Sequence, residues 1–155
     1  MTRLLLWLFV GGYLVLGEAT VLTAQGSSYD ESALRLEGHG GDLRIVRGVQ
    51  GTVVAHIGGF RTPDVSAIVS PSEKAMTEAK SFAHDYGPGN WTAAVGIVAV
   101  GAAIGVSRLH DGNRSLPTGL AVSGAALILY GGTRIQSAYN ALTRSIWWYN
   151  RDLKN

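Results

Sequence analysis

The chain has 155 residues, of which 46% are hydrophobic and only 15% charged, and it contains 21 Gly and no Cys. This length suits one small domain or a membrane-attached module, and leaves little room for a second core. The net charge of +2 comes from scattered basic residues, which argues against nucleic-acid binding. The absence of Cys excludes disulfides, thiolate catalysis and Cys-based zinc sites.

The first of three uncharged stretches lies at the amino end. Residues 4–17 follow Arg3 and contain a run of about 13 apolar residues, followed by small residues suited to signal-peptidase cleavage. This pattern predicts a signal peptide over residues 1–24 and a small, polar linker over 25–32. The alternative is an uncleaved anchor, in which the apolar run continues to Leu22 despite Glu18.

The exported region that follows, residues 33–89, is predicted to begin with a small sheet. Leucine and isoleucine alternate with charged residues, and glycine-rich turns separate three short segments at 33–37, 42–47 and 52–57. Alternation of this kind is typical of half-buried strands. The segments predict a three-stranded antiparallel meander, which is stable only if another element covers its apolar face.

Two helix starts follow the predicted strands. Thr62-Pro63-Asp64 has the composition of a helix cap and first turn, and Ser70 with Glu73 forms a capping box. The second helix is expected to end near Tyr86, before Gly87-Pro88-Gly89. Its apolar face is expected to cover the sheet or to pack on the hydrophobic region beyond it.

The other two uncharged stretches, residues 86–107 and 115–133, predict a Gly/Ala-rich membrane hairpin over 90–133. As a helix of about 17 residues, each arm is about 25 Å long, slightly shorter than the hydrocarbon core. A soluble helix normally carries a polar stripe, whereas only Thr92, Thr118 and Ser123 interrupt these apolar residues. The alternative is a pair of core helices in a soluble domain.

Small residues four positions apart predict where the two arms of the hairpin touch. Residues at this spacing share a helix face, and small side chains allow two backbones to approach closely. We therefore predict helix packing at Gly96, Gly101, Gly105, Ala121 and Ala125.

Residues typical of membrane interfaces flank the hairpin. Trp91 begins the first arm, and Arg108 and Arg114 lie in the polar connector. A cytoplasmic connector agrees with the positive-inside rule. It would leave the exported module and the carboxyl-terminal tail in the periplasm.

The tail, residues 134–155, predicts an amphipathic helix with apolar residues every three or four positions. Trp147, Trp148 and Tyr149 favour a membrane-interfacial position, since indole and phenol rings are apolar at one end and polar at the other. In this interpretation the interfacial helix continues from the second arm of the hairpin. The alternative, which is compatible with the first, is that these aromatic side chains pack against the exported sheet.

With these parts in this order, the chain resembles a diffuse group of small bacterial envelope proteins. They combine a signal peptide, a short strand-rich segment, a Gly-rich hydrophobic hairpin and an amphipathic tail. The tail's A-x3-S-I-x2-Y-N sequence is similar to the A-x4-A-[IV]-x2-Y-N ending of that group, and consists of Ala141, Ser145, Ile146, Tyr149 and Asn150. No activity is established for such proteins, so the resemblance implies architecture only.

No catalytic motif stands out. His39, His56, His84 and His110 lie too far apart for a common metal-ligand spacing, and no phosphate-binding loop or nucleophile elbow is present. We therefore expect no cofactor, no metal site and no enzyme activity.

Taken together, these patterns predict an α+β membrane protein. It combines a small antiparallel β meander and short helices with a two-helix transmembrane hairpin and an amphipathic carboxyl-terminal helix. The leading functional hypothesis is a non-enzymatic envelope protein whose hairpin anchors a small module that binds an envelope protein or a second copy. The alternatives are an oligomeric pore-forming or membrane-remodelling protein, and a subunit whose partner carries the chemistry.

Overall fold

The computed structural model describes residues 29–39, 42–109 and 115–154. The predicted signal peptide, residues 25–28 of the predicted linker, and Arg114 lie outside these ranges. The described chain is α+β: three strands and a short helix precede two long helices.

The three strands form one antiparallel sheet in the order β1 (Leu34–His39), β2 (Asp42–Arg47), β3 (Thr52–Ile57). The predicted meander is confirmed. The register of β2 and β3 shifts between Ile45 and Val46. Gly48 and Gly51 each have a φ of 69° in the turn that joins these strands, a conformation that glycine adopts without strain.

Two helices begin close to where the sequence predicts them, but with different caps. Asp64 caps α1 (Val65–Ile68), because its carboxylate accepts a hydrogen bond from the Ala67 N–H at 3.3 Å. Ser72, rather than Ser70, caps the next helix, α2 (Glu73–Leu109), through a 3.2 Å hydrogen bond from the Ala75 N–H. Both serines precede the helix in sequence. A distant residue favours Ser72 as the cap, since the Ser72 hydroxyl also donates a hydrogen bond to the Asp152 carboxylate.

The second helix, α2 (Glu73–Leu109), is 37 residues long and continues through Pro88. The predicted helix end near Tyr86 is therefore wrong. Proline removes one backbone donor and therefore disfavours a helix interior. The helix nevertheless continues, because α2 packs along the last helix, α3 (Ser115–Asp152), on both sides of Pro88. Gly89 lies in that contact: a Cβ added there would be 3.2 Å from the Gly131 carbonyl oxygen. The glycine serves close packing rather than helix termination.

The third helix, α3 (Ser115–Asp152), is 38 residues long and runs antiparallel to α2. It joins the predicted second arm of the hairpin and the predicted tail into one helix. The sheet packs on only one half of the helix pair. The hydrophobic core lies there, between the sheet, the first part of α2 and the last part of α3, and includes Leu34, Ile45, Ile57, Phe82, Tyr86, Leu142 and Tyr149.

We call this half the head, comprising the described residues of 29–89 and 131–154. The other half, residues 90–109 and 115–130, is called the hairpin.

Candidate membrane-anchoring site

The hairpin has its large apolar side chains on the outside. Val98 is 71% exposed and Leu129 is 72% exposed. By length and composition, both helices are long and apolar enough to cross a membrane. In the most apolar 18-residue stretch of each helix, only 17% of α2 and 11% of α3 is buried. The exposed set comprises Trp91, Val95, Ile97, Val98, Ile104, Leu116, Val122, Leu129 and Tyr130.

Glycines bring the two helix backbones of the hairpin into direct contact. A Cβ added at Gly96 would lie 2.6 Å from the Gly124 carbonyl oxygen, and one added at Gly124 would lie 2.7 Å from the Gly96 carbonyl oxygen. Seven residues away on each helix, a Cβ at Gly131 would lie 2.7 Å from the Gly89 carbonyl oxygen. No side chain larger than hydrogen fits at Gly96, Gly124 or Gly131 without a backbone shift.

These glycines belong to a seam of small residues with seven-residue spacing, the repeat of a coiled coil. On α2 the seam contains Gly89, Gly96 and Ala103, which are all buried. On α3 it contains four buried residues, Gly124, Gly131, Ala138 and Ser145. The same register continues into the head, where the Ser145 hydroxyl donates to the Ala75 carbonyl at 2.8 Å.

The predicted packing residues divide between two faces. Gly96 lies in the seam, and Ala121 is half-buried. Gly101 and Gly105 do not pack on α3, because a Cβ at either position would meet no atom within 4 Å, and Ala125 is exposed. Four-residue spacing marks a face of small residues but not the face that meets the partner helix. The identifying signal is the seven-residue recurrence of glycine on both helices.

Charged and aromatic residues mark the base of the hairpin, where it joins the head. Arg134 Nη2 lies 2.8 Å from Asp85 Oδ1, and both side chains are about three-quarters buried. Beside this ion pair, the ring of Tyr130 lies 5.9 Å from the Arg134 guanidinium carbon. Trp91, which is 60% exposed, lies at the same level on α2. Sequence reasoning identified Trp91 here and missed the other three residues.

The opposite end of the hairpin carries Arg108, which is exposed in the last turn of α2. Trp91 and Arg108 are separated by about 25 Å of helix, at 1.5 Å per residue. They therefore bound the apolar surface of α2 at its two ends.

The tail aromatics do not lie near the hairpin. At 1.5 Å per residue, Trp147 is about 25 Å beyond Tyr130 along α3. Tyr149 is only 6% exposed and belongs to the core of the head, so its ring packs inside the head. Trp148 packs against the core and stacks with Lys74 and Arg151, whereas Trp147 is exposed.

The A-x3-S-I-x2-Y-N sequence of the tail has a structural role. Ala141, Ser145, Ile146 and Tyr149 are all buried. Asn150 pairs with the backbone of β1: the Leu34 N–H donates to Asn150 Oδ1 at 2.8 Å, and Asn150 Nδ2 donates to the Leu34 carbonyl at 2.6 Å. The sequence therefore fixes the end of α3 to the first strand of the sheet.

Within the described ranges, the titratable groups with shifted pKa values lie in the head. No group of three or more His, Asp or Glu side chains in the described ranges is placed to hold a metal ion. Burial, and then the neighbouring Tyr86, raise the pKa of Tyr139, and a hydrogen bond to Glu78 raises the pKa of Arg144. Neither residue lines the open cavity of about 250 Å³ beside the β2–β3 turn.

Comparisons of the chain with protein-family models, curated proteins and solved structures found no match.

Proposed function

We propose that this is a membrane-anchored protein of the bacterial envelope, in which the hairpin spans the bilayer and the head binds another protein. The observation that carries the proposal is the exposed apolar outer surface of the hairpin, next to a head with an ordinary buried core. Removing a Val, Leu or Ile side chain from water is worth about 1.5–3 kcal/mol. A bilayer provides that stabilisation over the whole hairpin surface.

The chemistry of the hairpin favours an anchor over a pore. Residues 91–107 and 115–133 contain no Asp, Glu, Lys, Arg or His. Water-filled pores need polar or charged lining groups, whereas an anchor needs a surface that lipid chains cover. The buried side of the hairpin is a seam of small residues in backbone contact, which leaves no lumen between the two helices.

The far end of the head offers a surface suited to a protein partner. Lys74 Nζ lies 4.5 Å and the Arg151 guanidinium carbon 4.7 Å from the centroid of the Trp148 ring, and the exposed Trp147 packs edge-on against that ring. Trp and Arg are the residue types most enriched at the energetic centres of protein interfaces. Since this Trp–Arg surface lies about 25 Å from the base of the hairpin, a partner reaches it away from the bilayer.

The anchoring part is tested by labelling from within the bilayer. Cells expressing the protein are treated with a membrane-soluble carbene reagent, and labelled peptides are mapped after alkaline carbonate extraction. We expect the protein to resist extraction and labels to fall in residues 90–109 and 115–130. Release into the carbonate supernatant, with labels absent from both arms, would reject the membrane hairpin.

The binding part is tested with a photocrosslinking amino acid at Trp147, with the exposed Lys80 on α2 as the matched position. We expect a discrete cross-linked product from position 147 that is absent from position 80 and is lost in Arg151→Glu. A product at the mass of two copies would identify self-association. Equal cross-linking at both positions would reject the Trp–Arg surface.

A further inference from the structure

We infer that the turn between β3 and α1, residues 58–61, is a lipid-contacting loop that inserts Phe60 into the bilayer interface beside Trp91. The head would then rest directly on the membrane. The inference depends on the proposed membrane hairpin, and adds a second, non-spanning contact with lipid.

The turn is firmly attached to α2 just below the hairpin. Gly58 and Arg61 pair across it, and Gly59 has a φ of 59°, which favours glycine. The Gly59 carbonyl accepts hydrogen bonds from Asn90 Nδ2 at 3.0 Å and from the Tyr86 hydroxyl at 3.5 Å. These contacts set the level of the turn along α2.

The turn places an exposed aromatic ring against another. Phe60 is 53% exposed, and its ring centroid lies 4.7 Å from that of Trp91, which is also mostly exposed. Tyr130 extends the exposed aromatic level onto α3. Aromatic rings are enriched where a bilayer meets water, because they tolerate a mixed environment.

The residues along the helix axis follow the order found across a bilayer interface. The Asp85–Arg134 ion pair lies on the side of the head. The aromatic level of Phe60, Trp91 and Tyr130 comes next, and the exposed aliphatic residues of the hairpin follow. A lipid interface matches all three levels, whereas a protein partner would have to cover rings that are continuous with the lipid-facing surface.

The test uses spin labels, since the chain contains no native Cys. Three single-cysteine variants, Arg61→Cys, Val98→Cys and Val49→Cys, are labelled and reconstituted in phosphatidylcholine/phosphatidylglycerol vesicles. Val49, exposed in the β2–β3 turn, is the aqueous control. Collisions with oxygen and with a water-soluble nickel complex give the depth of each label. We expect a deep label at 98, a shallow lipid-exposed label at 61 and an aqueous label at 49, with an oxygen-to-nickel collision ratio at 61 several-fold above that at 49.

A second variant shows whether Phe60 is responsible. Adding Phe60→Ser to the Arg61→Cys protein should move label 61 towards the aqueous value and leave label 98 deep. A label at 61 that matches label 49 while label 98 is deep would overturn the inference and leave the hairpin proposal intact. Aqueous values at all three positions would overturn both.

Discussion

The head and the hairpin are built on the same two helices in the same register, yet they distribute side-chain size in opposite ways. In the head, large side chains such as Phe82, Tyr86 and Leu142 fill the space beneath the sheet. In the hairpin, Gly96 meets Gly124 at the seam, while Val98 and Leu129 point outwards. The seam repeat is therefore the same in both halves, which differ in the residues on their outer faces.

Under the proposed membrane location of the hairpin, the contrast accounts for a sheet that covers one half of the helix pair only. An amphipathic helix in water has to bury its apolar face against another element, and the three strands provide that cover in the head. A helix pair in lipid has no such requirement, because lipid chains are themselves apolar. Close backbone contact then becomes the main source of attraction between the helices.

The sharpest way to break the head is to remove a large ring from its core. Phe82→Ala is expected to lower the free energy of unfolding of the head by about 3–5 kcal/mol, because it leaves a cavity that the sheet and α3 cannot fill. Denaturant unfolding in detergent micelles, followed by near-ultraviolet circular dichroism, measures the loss. The control is Val49→Ala, which shortens a side chain that is 68% exposed and should cost less than about 0.5 kcal/mol. Equal losses would contradict the position of the core.

The hairpin should be sensitive to the opposite change, an increase in size. Gly96→Val is expected to cost about 1–3 kcal/mol through overpacking, since even a Cβ there would lie 2.6 Å from a backbone oxygen. Gly101→Val is the matched variant on the same helix, and should be neutral because its Cβ would meet nothing within 4 Å. Thermal unfolding in lipid nanodiscs compares the two. Destabilisation by Gly101→Val alone would show that the other face makes the packing contact.

An effect of similar size is expected where α3 is joined to the sheet. Asn150→Ala leaves the Leu34 N–H and carbonyl without their side-chain partner, at an expected cost of about 1–3 kcal/mol. Amide hydrogen exchange should quicken at Leu34. Asn140→Ala, at an exposed position on α3, should leave that exchange rate unchanged, and a matching acceleration in both variants would count against the specific contact.

The smallest effect concerns alkaline pH. The pKa of Tyr139 is raised, mainly by burial, so the folded head favours the neutral phenol. The stabilisation linked to this shift is fully present below the unfolded pKa of about 10 and is lost as pH rises through the folded value. The stability of wild type relative to Tyr139→Phe should therefore decrease from pH 9 to pH 11. A difference independent of pH would show that Tyr139 does not contribute.

Sequence reasoning succeeded where the signal is local. The meander was predictable because leucine and isoleucine alternate with charged residues between glycine turns, and both features act within a few residues. The helix starts were located to within a few residues for the same reason. The choice of Ser72 over Ser70 was not predictable, since it depends on Asp152, 80 residues further along the chain.

The errors share one physical cause, which is that a local pattern does not identify the partner of a helix face. Gly101 and Gly105 form a smooth face, but α3 packs against Gly96. The division at residue 134 separates two parts of one continuous helix, because the return of charge after an apolar stretch does not end a helix. A continuous α3 carries Trp147 away from the hairpin, and leaves Tyr149 for the core.

The position of Pro88 has a mechanical consequence. Proline deprives α2 of one hydrogen bond, and its neighbours Gly87 and Gly89 give the backbone little resistance to bending. On α3, Gly131 lies directly opposite, followed by Gly132. The residues that lower a helix's resistance to bending therefore lie opposite each other on α2 and α3, where the head meets the hairpin. The Asp85–Arg134 ion pair and the Phe60–Trp91 stack lie beside this level, and we expect them to resist bending of the head against the hairpin.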